Sequence, residues 1–154
     1  MASRQGFRDP RRVGHESAEG DESAVELCRR AIDRLASRLP GVQISCHLRV
    51  GETLRVVASV GGLRLIYEIR REEGGICWRA VETGEPQLVE DVRRDPDYMA
   101  TDERVRAEIA VPIEHDSGTL LVLDAEFPGR AFTVEEAEAV TEAAAELERE
   151  LSRF

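Results

Sequence analysis

The residues able to do chemistry fall between Gly74 and Glu126. Cys77 follows Gly74-Gly75-Ile76 at the expected start of a helix, where free N–H groups and the helix dipole stabilise a thiolate and lower its pKa. Free cysteine more often packs as a small apolar group, and Ile76, Ala80 and Val81 offer that alternative. Glu108, Asp124 and Glu126 have the same parity on two strands expected to pair, which turns them toward one cavity. Acids at strand ends also commonly pair with arginine, here Arg79 or Arg104, or with backbone N–H groups. Trp78, Tyr98 and Met99 either wall a small apolar pocket, with Trp78 on the exposed side of its helix, or staple a loop to that helix. Asp91, at the head of the acidic loop, completes the ligand-contact candidates.

The elements that position these groups are legible around them. Ile76 to Val81 has helical spacing, and Gly84 followed by Pro86 ends it. Gln87 to Val89 is a brief extended segment, and Asp91 to Tyr98 carries turn residues without periodicity, so a surface loop is expected. Ile109, Val111 and Ile113 alternate with polar or small residues. After a turn at 115–118, Thr119 to Glu126 reads as a well-buried strand.

Upstream, Ala24, Leu27, Cys28, Ala31, Ile32, Leu35 and Leu39 form a helical stripe that Pro40-Gly41 stops. Alternation over 42–50, 54–60 and 63–69 predicts three antiparallel strands, the last two joined by a two-residue turn at Gly61-Gly62. At the far end Thr133 and Glu136 make a capping box. Val140, Ala144, Leu147, Leu151 and Phe154 then repeat at 4, 3, 4, 3, a seam that needs a partner: the first helix, a second copy of the chain, or both.

Composition limits the function classes. The 154 residues allow one domain with a real core. A net charge of −10 disfavours nucleic acid, which needs a basic face. No run is long and apolar enough for a membrane span, and no signal peptide is read, so a cytoplasmic protein is expected. Cys28, Cys46 and Cys77 lack metal-ligand spacing and are expected to be reduced thiols. His15, His47 and His115 stand far apart in element order. Residues 1–20 read as a disordered tail and 21–154 as a single domain.

The ordered set Gly75-Ile76-Cys77-Trp78-Arg79-Ala80-Val81-Glu82-Thr83-Gly84-Glu85-Pro86, then Val89-Glu90-Asp91-Val92, Ala107 to Ile113 and Leu121 to Glu126 resembles the second half of a GAF domain. The resemblance implies an α+β fold: an antiparallel sheet of five or six strands, terminal helices on one face, and a short helix plus loop on the other. It also implies a longer excursion over the pocket near 61–73, which is short here. One branch of the family, the free methionine-R-sulfoxide reductases, carries Gly-Val-Cys-Gly where this chain has Gly75-Ile76-Cys77-Trp78, and Ala-Cys-Asp where it has Ala100-Thr101-Asp102. In that branch the acids matching Glu108, Asp124 and Glu126 resemble a clamp for an amino group.

With Thr101 in place of the second cysteine, the sequence leads to the expectation of no enzymatic activity. The expected role is a small-molecule-binding or redox-responsive sensory domain in signal transduction, homodimeric through helices 21–39 and 133–154. The alternatives are a diverged sulfoxide reductase and a ligand-free dimerisation or docking module. Ligand, cofactor and signalling partner remain unidentified by sequence, with no metal site expected.

Overall fold

A computed structural model describes residues 17–116 and 118–153, with side chains from residue 24 onward. The expected tail therefore lies mainly outside the described residues, and the first helix, α1, spans Ser17–Arg38, starting four residues ahead of Asp21. Strands β1 (Gln43–Val50), β2 (Thr53–Val60) and β3 (Glu68–Arg70) follow, then helix α2 (Ile76–Thr83) and the short edge strand β4 (Gln87–Val89). Strands β5 (Val105–His115) and β6 (Gly118–Pro128) and helix α3 (Val134–Leu151) complete the chain. The six strands form one antiparallel sheet in the order β3-β2-β1-β6-β5-β4.

The two faces of this sheet differ because strand side chains alternate. One face gives Ile44, Cys46, Ile109, Val111, Leu121, Leu123 and Phe127 to the main core, under α1 and α3. The α3 seam is used there: Val140, Ala144, Leu147 and Leu151 are buried within the chain. Thr133 accepts from the Glu136 N–H at 3.1 Å, the Glu136 carboxylate accepts from the Thr133 N–H at 2.9 Å, and Arg130 donates to that carboxylate twice at 2.7 Å. The arginine holds the Glu136 carboxyl down at about 2. Its stabilisation is therefore present above the ordinary carboxyl range and is lost as pH falls toward 2. Thr133→Ala should cost about 1 kcal/mol in urea unfolding at neutral pH; no loss would show that α3 is held by packing alone.

The opposite face is covered by α2 and the loops around it. Gly74 and Gly75 have φ of 75° and 102°, a left-handed course that a side chain resists, and they turn the chain so that α2 lies on the sheet. Gly84 closes α2 at φ 68°, its N–H donating to the Ala80 carbonyl at 2.9 Å. The expected tight hairpin at Gly61-Gly62 does not form. Only Glu68–Arg70 forms a strand beside β2, with the Tyr67 carbonyl still accepting from the Val56 N–H at 2.9 Å, and residues 61–66 leave the sheet. Two buried side-chain acceptors divert them: Gln43 Oε1 takes the Leu63 N–H at 2.9 Å, and Asp102 Oδ2 takes the Arg64 N–H at 3.0 Å. A Cβ on Gly61 would stand 2.5 Å from Gln43 Oε1, so only glycine permits that approach. The excursion carries Leu65 and Ile66 over the centre of the sheet.

Candidate functional site

Beneath that excursion the sheet presents a polar strip where an apolar one would be expected. Register explains it. Glu108 on β5 faces Glu126 on β6, Asp124 lies two residues away on the same face, and Ser45 on β1 faces Asp124. Gln43, Ser45, His47, Glu108, Asp124 and Glu126 are all buried. One oxygen from each of Glu108, Asp124 and Glu126 lies within 4.8 Å of the other two. None of the three acids forms an ion pair among the described residues. Arg79 and Arg104, which were the alternative partners, are taken by Asp95 at 2.8 Å and Asp102 at 2.7 Å.

Burial and mutual repulsion set the protonation of this cluster. Burial first, then the Glu126 charge, pushes Asp124 up to about 8. Burial, then the Glu108 charge, does the same for Glu126, also to about 8. Glu108 is driven well above the carboxylate range by burial, then by Asp124, and a protonated Glu108 donates to the Asp124 carboxylate. At neutral pH the cluster therefore holds protons that acids in water would have released.

The acids open on a cavity of about 40 Å³, which Cys77, Met99, Thr101 and His47 also line. Cys77 is buried, and its thiol is raised well above the ordinary value by burial and then by Asp124, Glu108 and Glu126. The dipole-lowered thiolate suggested by its place in α2 is thus outweighed, because three acids and desolvation act against one short helix. His47 is held neutral by burial, its pKa down at about 4, and its Nε2 lies 3.0 Å from Ser45 Oγ.

The structure brings together Cys77, Met99, Glu108, Asp124 and Glu126 at the cavity. Tyr98 packs beside them without lining it, its hydroxyl unpartnered, and burial followed by the Glu126 and Glu108 charges pushes its phenol up. Trp78 is not on the exposed side of α2. It is 1 % exposed, its indole N–H donates to the Ile69 carbonyl at 2.9 Å, and Arg49 and Arg71 lie over the ring. Asp91 lies apart from the cavity, capping the turn at Val92–Arg94 and paired with Arg93 at 2.9 Å, which holds its carboxyl at about 2. Sequence reasoning missed His47, Gln43 and Asp102. For Gln43 and His47 the one signal was parity, since the polar residues of β1 share the acids' face once β1 pairs with β6; Asp102, in the loop before β5, had none.

A family model described as GAF domain matches residues 21–150. The free methionine-R-sulfoxide reductase of Saccharomyces cerevisiae is 43% identical over 51 residues, 32% of this chain; the match covers 28% of that protein. The structure of free methionine-R-sulfoxide reductase from Neisseria meningitidis, in complex with its substrate, is similar at 28% identity and a TM-score of 0.74, over 90% of this chain and 85% of that one. A putative GAF sensor protein from Burkholderia vietnamiensis is similar at 25% identity and a TM-score of 0.64, over 89% and 96% of the two chains. The expectation of a chain without enzymatic activity, drawn from Thr101, is corrected here: two of these likenesses are to reductases, and the acids that face the cavity are present although the second cysteine is not. Among the described residues no helix is long and apolar enough to cross a membrane. With the family model spanning most of its length and the architecture matching, the chain belongs to the GAF domain family.

Proposed function

We propose that this GAF domain binds a small molecule through an ammonium group held by Glu108, Asp124 and Glu126, and that this binding is the input of a sensory or regulatory role. One observation carries the reading: three buried carboxylates converge on a cavity, and none is ion-paired among the described residues. An ammonium group brings three hydrogen-bond donors and the missing positive charge, which allows the acids to ionise without leaving the interior. Free methionine sulfoxide, the substrate class named for the Neisseria relative, is an amino acid and carries such a group. The cavity, about 40 Å³, takes only about three or four water-sized groups as it stands, by the rule that each needs roughly 10–15 Å³. An amino acid therefore requires the 61–66 excursion to swing outward. That segment is held by two side-chain acceptors and carries no strand pairing over most of its length.

A second reading rests on Cys77 facing the same cavity. The Cys77 thiol would attack a sulfoxide sulfur, its proton passing to the sulfoxide oxygen, and leave as the sulfenic acid while the substrate becomes a thioether. Two equivalents of an external thiol would then return the cysteine to thiol, releasing water and a disulfide. Turnover with a thiol donor that disappears in Cys77→Ser would support this reading.

The homodimer belongs to the same proposal. With the α3 seam already buried, it would use the outer faces of α1 and α3; sedimentation of the pure chain as a monomer would remove it. The binding proposal is tested by thermal unfolding in chelator with a panel of primary amines and free amino acids. A ligand at 100 times its dissociation constant should add about 2.7 kcal/mol. The gain should vanish in Asp124→Asn; an equal gain in that variant would contradict the reading.

A further inference from the structure

The cavity holds a second cluster of donor atoms, which shares Asp124 with the three acids. There, one ring nitrogen of His47, the Cys77 sulfur and one Asp124 oxygen lie within 4.8 Å of one another. They come from β1, the first turn of α2 and β6, and all three side chains are buried. Two atoms of this group have no hydrogen-bond partner: His47 Nδ1, on a side chain 4% exposed, and Asp124 Oδ1, on one 2% exposed. A single buried polar atom left unpaired costs roughly 1–3 kcal/mol. Two such atoms beside a thiol call for a shared partner.

We propose that His47, Cys77 and Asp124 hold a divalent ion of the zinc class, with the fourth coordination position open toward the cavity. Nitrogen, sulfur and one carboxylate oxygen are a donor set that zinc accepts and that magnesium and calcium, which take oxygen, do not. Bonds of 2.0–2.3 Å in a tetrahedron put donors about 3.2–3.6 Å apart. The present separations, at most 4.8 Å, therefore close by a modest side-chain movement. The imidazole is ready to ligate. Ser45 Oγ at 3.0 Å occupies Nε2, orients the ring and leaves Nδ1 free, the arrangement in which an outer partner fixes a metal-bound histidine.

On binding, the Cys77 S–H bond breaks, its electron pair forms the sulfur–metal bond, and the proton leaves to solvent, as does the proton that Asp124 holds at neutral pH. The thiolate and the Asp124 carboxylate together balance the two positive charges, so no net charge is left buried. Glu108 and Met99 line the same cavity, and a water or a ligand heteroatom there would complete the tetrahedron. The inference goes beyond the amine reading, and either can fail without the other, because amine binding is measured in chelator.

The test uses the full chain, reduced and stripped with EDTA, then titrated with cobalt(II) as a visible stand-in for zinc. One cobalt per chain should bind, with a near-ultraviolet thiolate-to-cobalt charge-transfer band and the strong visible absorption of a tetrahedral site, and zinc should bleach both. Cys77→Ser should lose the charge-transfer band. His47→Ala should weaken cobalt binding by on the order of 100-fold, at least the upper range for losing an outer-shell partner. Glu108→Gln should keep the band. No band at saturating cobalt, or a band that survives Cys77→Ser, would overturn the proposal. So would displacement of cobalt by magnesium or calcium as readily as by zinc, which would assign the ion to the oxygen-only cluster of Glu108, Asp124 and Glu126. If either variant fails to fold, X-ray absorption of the zinc-loaded wild type decides: sulfur and nitrogen ligation supports the site, oxygen ligation alone refutes it.

Discussion

Glu108→Gln should make the ligand-free, metal-free protein more stable, and the gain should grow with pH. Folding holds Glu108 protonated far above its ordinary value, so the folded chain retains a proton that the unfolded chain releases near pH 4.5. A carboxyl whose folded pKa is raised contributes fully below its unfolded value, and that contribution is lost as pH rises toward the folded pKa. Glutamine has the shape of the protonated acid, and its amide donates to Asp124 as the protonated carboxyl does, without that loss. The two proteins should be equally stable near the ordinary carboxyl pKa, and the variant's lead should widen as pH rises from there to 8. Asp124 and Glu126, both pushed up to about 8, impose the same sign on the wild type, whose stability should decline between about pH 4 and 8. Urea unfolding in chelator across that range measures both. A wild type that gains stability over the window, or a variant with no advantage at pH 8, would mean that the acids stay ionised and solvated.

The largest loss is expected at a residue outside the cavity. Trp78→Ala should cost about 3–5 kcal/mol, the range for removing a fully buried aromatic ring, out of a total stability of roughly 5–15 kcal/mol. The ring fixes α2 against β3 through its bond to the Ile69 carbonyl, and Arg49 and Arg71 cover its faces. Trp78→Phe keeps most of the packing but leaves that carbonyl unpaired, at about 1 kcal/mol. Both are read by circular dichroism, since Trp78 is the only tryptophan. A loss below about 1 kcal/mol for the alanine variant would show that α2 is anchored by its other apolar residues.

These two residues also show what the sequence discloses. The parity of Glu108, Asp124 and Glu126 places them on one face because β5 and β6 are a local hairpin with a short turn, and hairpin register follows from alternation. The capping box at Thr133 and the Gly84 stop of α2 are equally local, and both form as read. What fails is what depends on distant partners. The 61–66 segment alternates like a strand, yet acceptors at Gln43 and Asp102 draw it off the sheet. Trp78 follows Cys77 directly, and helical spacing alone does not say which side of α2 the β3 strand will cover. His47 reads as the polar half of a half-buried strand until β6 arrives beside β1 and the excursion closes over it.

The reading of the site stands on a cation meeting the three carboxylates. Calorimetry of the chelator-treated chain with free methionine sulfoxide, compared with the same molecule acetylated on its amino nitrogen, tests that contact alone, because acetylation removes the charge and two of the three donors and leaves the rest of the ligand in place. The account predicts binding of the free amine, and none of the acetylated form or by Glu126→Gln/Asp124→Asn protein. Equal binding of the two ligands, or binding that survives loss of the acids, would contradict it.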